Sequence, residues 1–265
     1  MARQMKDSGI EWIGEIPEHW ETPKITYLFN KIGSGTTPTA GSPLYYENGT
    51  INFLQTGDLN DGYINDTSKK ITVKTLIDYT SLKLFPKGSL VIAMYGATIG
   101  KLGILNIETT TNQACCVLGK ESENVELKFV FYWFHFAKPH IISMSYGGGQ
   151  PNISQDLVKS LRLQMPPIEE QQTIATFLDD KTAKIDQTIA NKQKEIELLK
   201  ERRQILIQKA VTKGLDDTVP LKDSGVDWIG EIPEHWEVRK LKAFCKAFGR
   251  IGFRGYTTAD LVDEG

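Results

Sequence analysis

The longest regular pattern in the chain lies between residues 168 and 213. Leu178, Ile185, Lys192, Leu199 and Leu206 fall seven apart, and Thr182, Ile189, Ile196, Arg203 and Ala210 each follow a member of that row by four. The two rows make a coiled-coil seam, broken by the polar Thr182, Lys192 and Arg203. Pro166 and Pro167 stand where a helix can begin, and Glu169 and Glu170 favour its amino end. Lys209 and Lys213 favour its carboxyl end, and Gly214 offers a left-handed stop. No Pro or Gly intervenes, so the spacing predicts one helix over 168–213. At ~1.5 Å per residue it is roughly 65–70 Å long, more than one small domain can cover. Leu178, Ile185, Ile189, Ile196, Leu199 and Leu206 are its candidate helix-pairing residues. The alternative is a helix that lies across its own domain.

Ahead of this helix the pattern changes to short apolar runs between polar, Gly-rich loops. Strands are predicted near Ile51–Leu54, Ile71–Val73, Leu90–Tyr95, Gly103–Leu105, Ala114–Leu118 and Leu161–Gln164. Short helices are predicted at Leu76–Ser81, Glu126–Phe136 and Ser154–Lys159, the last capped by Ser154. Phe129, Tyr132, Trp133 and Phe136 recur at helical spacing and read as core. The fold class is therefore an α/β (α+β) domain followed by a long coiled-coil-type helix.

An internal repeat is superimposed on this order. Residues 5–21, MKDSGIEWIGEIPEHWE, return at 221–237 as LKDSGVDWIGEIPEHWE, with conservative changes only at Met5/Leu221, Ile10/Val226 and Glu11/Asp227. Trp12, Ile13, Ile16 and Trp20, with Pro17 imposing an extended turn, form an apolar strap. Such a strap closes an edge of its own domain or contacts another subunit. Only 29 residues follow Trp236, so the second unit is expected to be cut short.

Composition narrows the picture. The length of 265 residues allows one large or two ordinary domains. A net charge of −2 exerts no bulk pull on nucleic acid or an acidic membrane. Residues 21–167 carry 13 Lys/Arg against 11 Asp/Glu, so DNA binding there requires a local patch. Cys115, Cys116 and Cys245 lack metal-like spacing, and the first two read as small buried hydrophobes suited to a reducing cytoplasm. The amino terminus lacks the apolar core of a signal peptide, and the longest apolar run, Phe129 to Phe136, is too short for a membrane span.

Five loops carry the candidate contacts. Residues 31–38, KIGSGTTP, offer Lys31, Ser34, Thr36 and Thr37 beside free backbone N–H groups suited to phosphate oxygens. Gln55 and Thr56 follow one predicted strand, and Tyr95, Thr98 and Lys101 follow another. Asn112 and Gln113 precede a third, and Gln150 and Asn152 flank Pro151 after a glycine run. Gln and Asn can bond adenine bidentately, while Lys and Thr can hold phosphates. Polar Gly-rich loops also serve simply as turns.

Catalytic patterns are missing from the sequence. Residues 95–102, YGATIGKL, lack the first Gly and the Ser/Thr of a phosphate-binding loop. There is no dinucleotide fingerprint, no H-E-x-x-H and no Asn-Pro-Pro-aromatic methyltransferase motif. No metal or other cofactor is expected, and the four histidines have no evident nucleophile beside them.

The stretches WIGEIPEHW, FLQTGDL, GSLVIAMYGATIGKLGI, TNQACC, GGGQPNIS and PPIEEQQTIATFLDDKTAKID together resemble the specificity subunit of Type I restriction–modification systems. The resemblance implies a strap over residues 1–20, a target recognition domain over 21–165 and a spacer helix over 166–214. Residues 215–265 would open a second, truncated unit. It also implies double-stranded DNA, methyltransferase (modification) subunits and a motor–nuclease (restriction) subunit as partners, with catalysis left to those subunits. Family members usually carry two recognition domains and two antiparallel helices. A chain with one is expected to pair with its own copy as an antiparallel homodimer; the alternatives are an inactive remnant or recombination cassette, or an assembly adaptor that does not read DNA.

Overall fold

The computed structural model describes residues 4–144 and 152–245, and these form two compact units, Met1–Lys184 and Ile185–Gly265. In chain order the first unit contains β1 (Met5–Asp7), β2 (Glu15–Pro17), α1 (Ile25–Leu28), β3 (Phe29–Gly33), α2 (Pro43–Tyr46) and β4 (Ile51–Leu54). It continues through β5 (Gly62–Ile64), β6 (Lys69–Ile71), α3 (Val73–Asp78), β7 (Leu90–Ala93) and β8 (Leu102–Leu105). β9 (Thr110–Thr111), β10 (Cys115–Glu121), α4 (Leu127–Ser143) and α5 (Gln155–Ser160) follow. The long helix α6 (Ile168–Lys213) leads into the second unit, which holds β11 (Leu221–Asp223) and β12 (Glu231–Pro233).

A five-stranded sheet in the order β3-β10-β7-β8-β5 forms the centre of the first unit. β7 and β8 are buried at every position, which is why they read as unbroken apolar runs. Leu90, Ile92, Leu102, Ile104, Cys116 and Leu118 face one core with Trp133, Phe134 and Val158 of the helices. Val91, Ala93, Leu105, Cys115 and Val117 face a second core with Leu54, Leu59 and Phe85. A smaller sheet, β6-β4-β9, encloses Phe53, Ile71 and Leu82.

Several sequence expectations shift. Residues 161–164 form no strand; the segment contributes one isolated bridge, Lys24↔Arg162, with a second just beyond it, Glu21↔Met165. Pro23 in the facing segment accepts from Leu163 N (3.1 Å) but has no N–H to return, so no ladder extends. Val73 opens α3 instead of ending a strand, because the Thr72 hydroxyl accepts from Thr75 N and caps the helix. Leu76–Ser81 is accordingly replaced by Val73–Asp78. Residues 31–33 belong to β3, paired with β10, rather than to a loop. α4 continues through Pro139 to Ser143. Phe129 and Trp133 are core and Tyr132 is half-buried, but Phe136 is 64 % exposed. The Ser154 cap holds, with Leu157 N at 3.0 Å, and Gly214 has φ +76° at the stop after α6.

The first four turns of α6 are fastened to the domain. Gln171, 1 % exposed, donates to the carbonyls of Asn124 (3.0 Å) and Pro166 (2.8 Å) and accepts from Glu126 N (2.9 Å). Ala175 enters the main core. The Tyr132 hydroxyl donates to Asp179 (2.7 Å), and Lys128 forms an ion pair with the same carboxylate. From Lys184 to Lys209 every position of α6 is exposed.

Two outcomes follow from these placements. Burial pushes the thiols of Cys115 and Cys116 up to about 12, whereas Cys245 is exposed. A chromogenic thiol reagent should therefore titrate one cysteine rapidly in the native chain and the other two only in denaturant. Burial works against the charge of Asp179, but hydrogen bonds from Lys128 and Tyr132 outweigh it and hold the carboxyl below its ordinary value of 3.8. Its contribution is thus present above that value and lost as pH falls through the lower folded value. Asp179→Asn should cost about 1 kcal/mol in urea unfolding at neutral pH, discounted for partial exposure. That penalty should shrink on acidification.

Candidate nucleic-acid interface

The segment after β3 is held against the domain by a close backbone approach. A Cβ on Gly35 would fall 1.7 Å from the Thr111 carbonyl oxygen, so only glycine fits there. Gly35 N donates to Thr111 Oγ1 (3.0 Å), Ser34 Oγ to Gln155 Oε1 (3.1 Å), and Thr37 Oγ1 to Gln113 Oε1 (2.6 Å). The last bond occupies the Gln113 carbonyl and leaves its NH2 group as donor. The pKa of the nearby Tyr95 hydroxyl is raised, chiefly by burial and then by Cys115, with Gln113 acting in the opposite sense. Tyr95 forms a backbone bridge with Asn152, and Ile153 N donates to Met94 O (2.7 Å), which fixes Asn152 at the end of β7.

Thr37, Gln113 and Asn152 are exposed, while Ser34 and Tyr95 are half-buried beneath them. A continuous chain of contacts therefore joins three loops that are remote in sequence. Gln55 opens a short 3-10 turn, Thr56–Asp58, in a reciprocal cap with Asp58. Asp58 Oδ1 also accepts from Ser68 N (3.0 Å), tying that turn to the segment before β6. Thr37 and Gln55 line one cavity of about 690 Å3 together with Tyr46, Lys69 and Lys70. The result is an amide- and hydroxyl-bearing rim with two exposed cations on one wall.

Other candidate residues lie outside this chain of contacts. Lys31 projects from β3, where its ammonium donates to Leu84 O (2.7 Å) and sits 5.0 Å over the Phe85 ring. Asn112 is 9 % exposed, and its Oδ1 accepts from Ala114 N (3.1 Å), a turn-forming role. Thr98 and Lys101 belong to the turn after β7, closed by Lys101 N to Thr98 O (2.9 Å). The Thr98 hydroxyl is buried without a partner, and Gly100 of the same turn lies against Lys138 of α4. Thr36 and Thr56 are half-buried. Gln150 lies outside the described residues.

Sequence reasoning missed Gln155, Thr111 and the Lys69–Lys70 pair. The basic doublet was a readable signal, but the contacts of Gln155 and Thr111 exist only through the fold. Among the described residues no His/Cys/Asp/Glu group could hold a metal, and no helix is long and apolar enough to cross a membrane. His140 stacks on Trp12 with centroids 4.3 Å apart, and His135 meets the edge of Phe131 at 4.6 Å. Burial lowers the His135 pKa, favouring the neutral ring.

Known proteins resemble this chain in sequence and in fold. The MjaVIII specificity subunit of Methanocaldococcus jannaschii, a Type I restriction enzyme component, is 29 % identical over 227 residues, covering 86 % of this chain and 49 % of the relative. The MjaIX specificity subunit of the same organism is 28 % identical over 242 residues, covering 88 % of this chain and 53 % of the relative. The crystal structure of the HsdS subunit from Thermoanaerobacter tengcongensis shares the fold, with TM-score 0.57 and 18 % identity over 80 % of this chain and 48 % of that one. The chain thus spans about half the length of the curated relatives it matches. Residues 17–198 match the Type I restriction modification DNA specificity domain, and the chain belongs to that family.

Proposed function

We propose that this chain is the DNA-reading specificity component of a Type I restriction–modification complex and acts in the cytoplasm. Its domain reads one half of a bipartite double-stranded site through the rim of Thr37, Tyr95, Gln113 and Asn152, with Gln55 and the lysines of the adjoining cavity wall. The observation that carries this reading is the family match over residues 17–198, which includes both that rim and the start of the exposed helical seam.

The rods pair as antiparallel homodimers. Ile185, Ile189, Ile196, Leu199 and Leu206 are between 46 and 62 % exposed, a stripe that calls for another helix. A two-fold axis across such a pair presents two domains to one side of a duplex, about a helical turn apart, and selects an interrupted palindrome. Tethering two half-site readers raises specificity through effective concentration. Leu198 and Ile205, both exposed and seven apart, lie about 180–200° around the helix from Ile196 at ~3.6 residues per turn. This second apolar strip, opposite the seam, suits docking of methyltransferase (modification) subunits, which perform the chemistry. A motor–nuclease (restriction) subunit completes the enzyme.

Methylation mapping in cells that carry this chain and its modification partner tests the reading directly. An interrupted palindromic motif is expected; loss of motif-specific methylation on deleting this chain's gene should accompany it. Gln113→Ala or Asn152→Ala should relax preference at one position, at about 1–3 kcal/mol. Lys69→Ala or Lys101→Ala should weaken binding to all sequences and lower the salt slope by about one. Light scattering at micromolar concentration with the methyltransferase present should give two copies per particle. A strictly monomeric chain there would rule out rod pairing.

A further inference from the structure

The two straps fold alike but are seated differently. β1 pairs with β2 in the register Met5↔Pro17, Lys6↔Ile16, Asp7↔Glu15, and β11 with β12 as Leu221↔Pro233, Lys222↔Ile232, Asp223↔Glu231. The connecting turns match bond for bond, Ser8 N to Gly14 O at 2.9 Å and Ser224 N to Gly230 O at 3.0 Å. Each hairpin is therefore a small self-consistent unit whose geometry does not depend on its surroundings.

The surroundings diverge at the tryptophans. Trp12 stacks on His140 of α4 and lies 5.6 Å from Phe136 and 6.2 Å from Trp133. The equivalent residue of the second strap, Trp228, is 84 % exposed, and among the described residues no ring lies against it. In the first strap His19 (2.9 Å) and Trp20 (3.2 Å) both reach the Glu170 carboxylate at the start of α6. The side chains that fill the seat, Trp12, Ile13, Ile16, Pro17, His19 and Trp20, have identical counterparts at 228, 229, 232, 233, 235 and 236. The three differing positions, 5, 10 and 11, neither stack on α4 nor line the groove of about 340 Å3 between strap and α4. The seat on α4 is thus chemically blind to which strap enters it.

We propose that residues 221–237 of one copy occupy the α4 seat of a second copy, displacing that copy's own residues 5–21. This rests on the antiparallel pairing of α6 proposed above, which places the carboxyl end of one helix beside the amino end of the other, where the seat lies. The exchange trades one strap for a near-identical one, so its position is set by the local concentrations of the two straps rather than by different contacts. It moves the ring of Trp228, 84 % exposed in the single chain, onto the aromatic surface of α4. It also ties each recognition domain to its partner's rod. Weakening the first strap should favour the second, and the reverse.

A full-length chain carrying p-benzoylphenylalanine in place of Trp228, mixed with a ¹⁵N-labelled unsubstituted chain, reads the exchange. Irradiation should give a light–heavy cross-link that maps by mass spectrometry to α4, alongside a dimer in light scattering. Trp12→Ala in the labelled chain should raise the yield about three- to tenfold, because the competing strap then forgoes its aromatic stacking on α4. Excess synthetic peptide of residues 221–237 should suppress the cross-link, a readout that stands even if the Trp12 variant folds poorly. A dimer without light–heavy cross-links to α4 overturns strap exchange and leaves rod pairing intact. A monomer without them overturns both.

Discussion

The anchoring of the first turns of α6 to α4 is the constraint on which the rest of this structure depends. Gln171 satisfies two carbonyls and one N–H that would otherwise be stranded where the domain ends and the helix begins. Eight residues on, Asp179 takes the Tyr132 hydroxyl and the Lys128 ammonium. Both positions lie on the face of α6 that meets the domain, and together they fix the direction in which the helix starts. Without them, its first turns would be joined to the domain chiefly through the apolar contacts of Ile174 and Ala175 and through the strap.

Beyond the anchor the helix obeys different physics. Its exposed stretch carries local ion pairs at helical spacing, including Lys184 with Asp180, Lys192 with Glu195 and Lys200 with Glu197. Each is worth only about 0.3–0.5 kcal/mol, enough to favour helix but not to hold an isolated one firmly. The apolar seam supplies what those pairs cannot, provided another helix covers it. The same logic governs the strap, whose hairpin closes through its own backbone bonds yet leaves a tryptophan to be buried elsewhere.

What could be read from residue order follows the range of the interaction concerned. The Ser154 cap, the Gly214 stop and the strand at Leu90–Ala93 were legible because each depends on neighbours within a few residues or on an unbroken apolar run. The strand expected at 161–164 was not, because the missing donor belongs to Pro23, far away in the chain. Phe136 fits the core spacing of its helix, yet α4 places it at the edge, under Trp12 of the strap. For the candidate interface, Thr37, Tyr95, Gln113 and Asn152 were individually legible as loop residues. That Thr37 bonds Gln113, and that Tyr95 abuts Asn152, were not.

By itself the sequence determined the elements and the repeat: a strand-rich domain, one long helix with an apolar seam, and two copies of one strap. These are local or periodic properties, set by backbone propensity and the spacing of side chains. Only the tertiary structure decided which polar residues share a rim, that Lys31 is engaged by a backbone carbonyl, and that one strap is seated while its twin leaves Trp228 bare. Those outcomes depend on contacts between segments tens to hundreds of residues apart, and chain order does not encode such distances until the sheet and α4 have brought the segments together.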